Sequence, residues 1–252
     1  MVRLLPCGLR SGWHNRSMYQ NIVILTGAGI SAESGLSTFR DNGGLWDNHR
    51  IEDVATPEAF ERNPALVQKF YNMRRAQLKD VKPNAAHLAI AELAAKSKGR
   101  VTVVTQNVDD LHDRVMEPHQ IIHMHGELTK ARCAMTDEVF HWESDIAADT
   151  PCICCKQPGR LRPHIVWFGE MPLYMDLISH LLAECDLFLS IGTSGTVYPA
   201  AGFVHEVRTH GRAHTVEINL EPSTGYTLFH EKIYGKAGEV LPEYVNKILN
   251  NK

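Results

Sequence analysis

A chain of 252 residues, 44% hydrophobic and 22% charged, can bury a substantial core without disulfide staples, which excludes the disordered and fibrous classes. No apolar run approaches the roughly 18 residues needed to cross a bilayer, so no membrane association is expected. With 26 Lys and Arg against 29 Asp and Glu, the net charge of -3 gives no global basic footprint, and no direct nucleic-acid partner is expected.

The first twenty residues carry Arg3, Arg10 and Arg16 and no acid. Their apolar stretch stops at Pro6, too short for a secretory core, so residues 1–20 read as a flexible tail or as an organelle transit peptide. Ile22-Val23-Ile24-Leu25 is a β-branched run that predicts a buried strand, turning at Thr26-Gly27-Ala28-Gly29 into a helix. Thr56-Pro57 and Asn63-Pro64 each place a capping residue before a first-turn Pro, predicting a helical insert over about 41–83. Asn84 predicts the cap of a further helix through Ala85, His87, Leu88, Ile90, Ala91 and Leu93. Strands are predicted at 101–104, 187–191 and 215–218, with a helix from Tyr174 to Glu184. Ile121-Ile122-His123-Met124 alternates, which would put His123 and His125 on one side of a strand.

This alternation predicts an α/β fold: a Rossmann-like doubly wound parallel sheet built from about 21–40, 84–126 and 163–252. Residues 127 to about 162 show little periodicity and hold Cys133, Cys152, Cys154 and Cys155, whereas Cys7 and Cys185 stand alone. Such clustering suggests a metal or a redox site. With the helical insert, this segment predicts a smaller lobe, zinc-ribbon-like, that needs a metal to hold it.

Gly27-Ala28-Gly29-Ile30-Ser31-Ala32 fits G-x-G-x-x-A directly after a strand, where backbone N–H groups and a helix N-terminus can approach a pyrophosphate. A tight strand-to-helix turn without a ligand would look the same. No second strand ends in an acid about twenty residues on, the usual ribose anchor, because Asp47, Glu52 and Asp53 fall in the helical insert. Gln106-Asn107-Val108-Asp109 follows the strand at 101–104, at the end of the sheet where ligands of open α/β folds bind. An amide and a carboxylate there suit a carboxamide ligand, or merely an Asx-type turn.

The stretch Gly27 to Gly35 with Phe39-Arg40-Asp41 resembles the signature of the sirtuins, the NAD-dependent protein deacylases. Gln106 to Asp109, His125-Gly126, Phe168-Gly169-Glu170, Gly192-Thr193-Ser194 and Asn219-Leu220-Glu221 look like the remaining family motifs in family order, covering about 21–245. The resemblance implies that NAD is a co-substrate held by Gly27, Ala28, Gly29, Ile30, Ala32, Glu33, Phe39, Arg40 and Trp46. It further implies nicotinamide contacts from Asn107, Val108 and Asp109, and a ribose contact from Gln106. Adenosine contacts would come from Gly192, Thr193, Ser194, Asn219, Leu220, Glu221 and Ala237, with Glu221 supplying the missing acid. In the implied mechanism the acyl-lysine oxygen attacks C1' of the nicotinamide ribose and nicotinamide leaves. His125, with Asn107 and Asp109 as its catalytic companions, then activates a ribose hydroxyl to attack the resulting alkylimidate, and water completes release of the free amine and O-acyl-ADP-ribose.

Acyl-lysine proteins and peptides are the implied partners, sandwiched as an added strand between Val166, Phe168, Gly169 and Glu170 on one side and Val197 on the other. In the helix starting at Pro64, Leu66, Phe70, Met73 and Gln77 form a stripe with Tyr71 and Arg74 on its flank. An Arg there can simply cover apolar surface with its stem. Tyr71-x-x-Arg74 with Ala55 also looks like the acidic-acyl pocket of the subgroup that contains the main bacterial deacylase and the mitochondrial desuccinylase, which implies desuccinylation and demalonylation beside deacetylation. The family zinc pattern is two C-x-x-C pairs; the first is broken here by Thr136, leaving Cys133, Cys152 and Cys155 as ligands, with Cys154 or a His as possible fourth, or a lobe with weak or no zinc.

Rival readings are a mono-ADP-ribosyltransferase, which would activate the same C1', an NAD-dependent dehydrogenase, and a zinc-stapled interaction module. The chain is expected to be a monomer or weak oligomer. Its Trp167 to Pro172 segment looks bacterial, favouring the cytoplasm, with the mitochondrial matrix as alternative.

Overall fold

The structure, a computed structural model, describes residues 19–38, 45–46 and 48–250. Of the sequence expectations, the N-terminal tail up to residue 18, Phe39, Arg40, Asp41 and Asp47 lie outside the described residues.

Six parallel strands form the main sheet: β1 (Asn21–Thr26), β4 (Arg100–Thr105), β5 (Ile121–His123), β9 (Leu187–Ile191), β10 (His214–Asn219) and β11 (Glu231–Tyr234). Their order is β11-β10-β9-β1-β4-β5. The chain runs outward from β1 on one side and then resumes at β9 on the other, so the crevice between β1 and β9 is the topological switch point where such sheets bind ligands. Period-two alternation divides the strands between two cores. Ile22 and Ile24 join Val101, Leu189 and Ile218 beneath α5 (Ala85–Lys96) and α8 (Ala237–Asn250), whereas Val23, Leu25 and Phe188 join Leu181 and Val204 beneath α6 (Met175–Glu184) and α7 (Phe203–His210). No helix of the described residues is long and apolar enough to cross a membrane.

The caps form as their residue types demand. Asn84 Oδ1 accepts from the Ala86 and His87 N–H groups at 2.9 and 3.4 Å, and His87 Nδ1 accepts from the Asn84 N–H, closing a capping box. Thr56 Oγ1 accepts from Ala59 N, starting α3 (Pro57–Arg62), and Asn63 Oδ1 accepts from Leu66 N, starting α4 (Pro64–Gln77). Short α1 (Gly29–Ala32) and α2 (Ile51–Val54) and the hairpin of β2 (Leu45–Trp46) and β3 (His49–Arg50) complete this part.

The structure differs from the sequence reading in four places. Residues 127–162 are not wholly irregular: although 142–160 is loop, β6 (Gly126–Cys133) pairs antiparallel with β7 (Val139–His141) and β8 (Leu161–Ile165). A register shift between Glu127 and Ala131 breaks the alternation of β6, and β8 is buried throughout despite the sequence Leu161-Arg162-Pro163-His164-Ile165, so neither carries a strand signature. Strand β11, Glu231-Lys232-Ile233-Tyr234, is a charged edge that composition alone does not mark. Strand β5 ends at His123, so His125 lies beyond it in a turn. Finally, the buried face of α4 is rotated from the Leu66-Phe70-Met73-Gln77 stripe to Val67, Gln68, Phe70, Tyr71, Arg74 and Arg75, with Met73 exposed. Two arginines inside a helix face defeat an apolar-stripe reading.

Candidate active site

At the end of β4, Asn107 and Asp109 are both buried, 7% exposed each. Ser31 in α1 ties them together: Asn107 Nδ2 donates to Ser31 Oγ at 3.1 Å, and Ser31 Oγ donates to Asp109 Oδ2 at 3.0 Å. Asp109 Oδ1 accepts from Leu111 N at 3.1 Å. Burial pushes the Asp109 carboxyl above the usual carboxylate range, against the lowering pull of the Leu111 and Ser31 bonds. An amide and a carboxyl are thus fixed at the sheet end, and Ser31, which the sequence reading passed over as a motif spacer, is their common partner. Below them Thr105 Oγ1 accepts from Asn107 N and from Thr26 Oγ1, and His112 Nε2 lies 3.2 Å from Thr26 Oγ1.

The His112 ring sits 4.8 Å from that of His87, and both are buried. Burial lowers His87 to about 4 and takes His112 well below its ordinary value. Both are therefore neutral when folded at neutral pH but titrate near 6.5 when unfolded. Their stabilisation is complete above that pH and is lost as pH falls through it, by about 1.4 kcal/mol per pH unit for each group. Thermal melts should show the melting temperature falling between pH 6.5 and 4.5, with a shallower decline for His87→Gln; equal slopes would remove the buried neutral histidines as the cause.

The glycine motif acts by close approach. A Cβ on Gly27 would lie 2.7 Å from Gly192 O, and one on Gly29 would lie 2.8 Å from Gly192 Cα, while Gly192 itself has φ +64°. Gly29 N donates to Gly192 O, and the Gly27, Ile30 and Ser31 amides are likewise engaged inside the two turns. The glycines therefore press the β1 and β9 turns together at the switch point, and α1 has only four residues to offer a dipole. Ala28 is half-buried at the mouth of the turn, Ile30 is fully buried behind it and Ala32 is exposed. On the β10 side Asn219 Nδ2 donates to Thr193 O at 2.7 Å and its Oδ1 accepts from Leu220 N, leaving Leu220 and Glu221 exposed at the rim. Ser194 Oγ bonds Thr196 Oγ1 at 2.6 Å. Glu33 Oε1 accepts from Gly238 N at 2.8 Å, capping the start of α8 beside Ala237. A clamp on α8 is thus its visible role.

His125 projects from the turn after β5. Gly126, at φ +82°, has no room for a side chain, because a Cβ would lie 2.0 Å from His164 O. His125 Nδ1 donates to Gln106 O at 3.1 Å, which leaves Nε2 with the free lone pair. Burial lowers its pKa and the Gln106 bond only partly offsets this, so the imidazole is neutral at physiological pH, as a general base must be. Val166 N donates to His125 O at 2.9 Å, joining His125 to the loop that ends at Glu170.

In that loop the carboxylate of Glu170 is fully engaged. It accepts from Arg162 at 2.7 and 2.9 Å, from Arg132 at 3.1 Å and from Trp167 N at 2.8 Å. Burial works against ionisation, yet the Arg162 bonds, the Trp167 N–H and both arginine charges outweigh it and hold the carboxyl below its usual range. Glu170 thus holds the loop, while Phe168, 43% exposed, and Gly169, at φ +92°, face outward. Val166 and Val197 are half-buried, but 166–170 and 195–198 are irregular rather than strands. Ala55, buried, accepts from Phe168 N. Tyr71 is fully buried; its hydroxyl accepts from Trp167 Nε1 at 3.0 Å, so its own proton is free to be donated. Burial raises Tyr71 far above its ordinary value, which keeps that proton in place. Arg74, 5% exposed, stacks with its Cζ 5.0 Å from the Trp46 ring, and Trp46 lies edge-on to Tyr71 at 6.2 Å. Trp46, expected at the cofactor, thus also walls Arg74.

Known proteins are similar to this chain in sequence and in fold. The Sir2 family model matches residues 27–199. An NAD-dependent protein deacylase of Vibrio parahaemolyticus is 60% identical over 233 residues, covering 92% of this chain and 96% of its own. The chain belongs to the Sir2 family. A solved Sir2 homologue in complex with NAD superposes with a TM-score of 0.82 at 38% identity, covering 92% of this chain and 91% of the other. A Sir2 protein bound to a propionylated peptide gives 0.76 at 26% identity, covering 91% and 93%.

The second lobe of this Sir2 protein gathers the cysteines. Cys133, Cys152, Cys154 and Cys155 bring their Sγ atoms within 4.8 Å of one another. Cys133 and Cys155 are 3.9 Å apart, Cys152 and Cys154 3.4 Å, against the roughly 3.8 Å between thiolates in a tetrahedral zinc site. The donor set fits zinc, and Cys154 makes it complete. Thr136, which breaks the family spacing, puts its Oγ1 3.4 Å from Cys154 Sγ. Thr136 and the Met135 N–H hold the Cys133 thiol down to about 6, favouring a thiolate. Metal analysis of protein purified without added zinc should give about one zinc per chain, and Cys154→Ser should lower it; a wild-type ratio near zero would end the assignment.

Proposed function

We propose that this chain removes acyl groups from protein lysines with NAD as consumed co-substrate, and that it accepts succinyl and malonyl as well as acetyl groups. The observation that carries the first part is a neutral His125, bonded to Gln106, at the same carboxyl end of a Sir2-family sheet as the Asn107–Ser31–Asp109 triad. NAD supplies a ribose carbon activated by a cationic leaving group. The chain's residues do the rest. Asn107 and Asp109 are suited to hold the carboxamide, with Ser31 fixing both in place. Ile30 and the paired glycine turns keep water from the reacting carbon. His125 Nε2 takes the proton of a ribose hydroxyl, since Nδ1 is committed to Gln106. The rim formed by Thr193, Ser194, Leu220 and Glu221 suits the adenosine half.

What supports an acidic acyl group is Arg74, buried three residues along α4 from Tyr71, whose hydroxyl feels its charge, with small Ala55 packed in the same core cluster as Tyr71. A guanidinium held there can pair with a carboxylate that a neutral acyl group lacks. The peptide backbone would pass between the 166–170 and 195–198 segments, in keeping with the solved relative bound to a propionylated peptide. The bacterial relatives favour the cytoplasm.

Mass spectrometry of an acetyl- and a succinyl-lysine peptide incubated with the enzyme and NAD tests the reading. Deacylated peptide, nicotinamide and O-acyl-ADP-ribose in equal amounts are expected from both. ADP-ribose attached to protein would instead support transfer, and reduced nicotinamide a dehydrogenase.

A further inference from the structure

Helix α4 stands between the acyl pocket and the cysteine lobe, with one face to each. Val67, Tyr71 and Arg74, spaced at i, i+4 and i+7, face the pocket. Gln68, Asn72 and Arg75 repeat that spacing one residue later, about 100° around the helix, and every one of them bonds backbone of the small lobe. Gln68 Nε2 donates to Leu161 O at 2.7 Å. Asn72 grips Ile146 as a strand partner would, Nδ2 donating to its carbonyl at 3.0 Å and Oδ1 accepting from its N–H at 2.9 Å. Arg75 Nε donates to Leu128 O at 2.7 Å, and its Nη1 donates to Asn72 Oδ1 at 2.9 Å and to Ser144 O at 3.3 Å.

Ile146 is itself 2% exposed and packs in the same small core as Cys133, Cys152, Ala131 and Leu161. The thiolate cluster therefore fixes Ile146, Ile146 fixes Asn72, and the next helical residues after Asn72 include Arg74. Arg74 and Arg75 are consecutive and both buried, so α4 cannot turn to release one without displacing the other.

We propose that Asn72 and Arg75 are positioning residues through which the metal lobe sets the register of α4, so that a loaded lobe is required for recognition of acidic acyl groups more than for acetyl groups. This rests on the acyl-pocket reading above. The asymmetry follows from geometry: a guanidinium must meet a carboxylate within a few tenths of an ångström to form a paired bond, whereas a methyl group needs only space.

Hydrogen exchange followed by mass spectrometry tests the coupling without activity. Chelation of zinc from the wild-type protein should raise exchange in 64–77 together with 126–165, while β1 and β4 stay protected. In Asn72→Ala the exchange of α4 should already be raised, and should respond little to chelation. Steady-state kinetics of zinc-loaded Asn72→Ala should show KM for a succinyl peptide up at least tenfold, and KM and kcat for the acetyl peptide within twofold of wild type.

Chelation that loosens 126–165 but leaves α4 protected, or that changes neither, overturns the proposal, as does an equal rise in both KM values. Should chelation unfold the whole chain, the kinetic split decides alone. Failure of the acyl-pocket reading is separable: Arg74→Met with undiminished succinyl turnover would remove that reading, while the exchange coupling would stand or fall by its own result.

Discussion

Replacing His125 with Ala is expected to lower kcat for deacylation by roughly two to four orders of magnitude, the usual contribution of a positioned general base. Among the described residues the imidazole is held by its Nδ1 bond to Gln106 O, in a turn where a Cβ on residue 126 would collide with His164 O. Its Nε2 is thereby aimed and its tautomer chosen. Burial disfavours the charged ring, so the acid limb of the wild-type pH–rate profile should have its midpoint below the ordinary imidazole value of 6.5. Activity should be flat above that limb and fall as His125 is protonated. In the Ala variant the limb should vanish, while the affinity for NAD, measured by calorimetry, changes little. A variant that kept both its rate and its acid limb would show that the base lies elsewhere.

Arg74→Met should cost roughly 100-fold in kcat/KM toward a succinyl peptide and spare the acetyl peptide to within about threefold. The magnitude follows from removing one partner of a buried charge pair, about 3 kcal/mol when the substrate carboxylate is left unmatched. Methionine preserves the unbranched stem, so packing against Trp46 and the α4 core survives. Tyr71→Phe should have a smaller effect in the same direction, because Trp167 Nε1 loses its acceptor as the acyl group loses a donor. Parallel kinetics on the two peptides check both variants. Equal losses on both substrates would reassign Arg74 to structure.

The caps at Thr56, Asn63 and Asn84 and the central strands β1, β4, β9 and β10 were legible because each rests on a local signal: a capping side chain, a proline, a β-branched run. Strand β8 was not. Its Arg162 is buried only because Glu170, eight residues on, meets it and Trp167 lies under it with Cζ 3.4 Å from the ring. Strand β11 and the buried face of α4 escaped for the same reason, since charged residues there are satisfied by groups distant in sequence.

By itself the sequence determined the family, the doubly wound sheet and the clustering of the cysteines, and it singled out His125 as the candidate base, because motifs and periodicities are properties of neighbouring residues. Only the tertiary structure decided that Ser31 joins Asn107 to Asp109, that Glu170 holds a loop, that Trp46 walls Arg74 and that Cys154 completes the metal set. Each of these joins groups brought together by folding, or chooses among adjacent side chains of equal chemistry, and a hydrogen bond or thiolate cluster is defined by positions within a few tenths of an ångström that residue order does not contain.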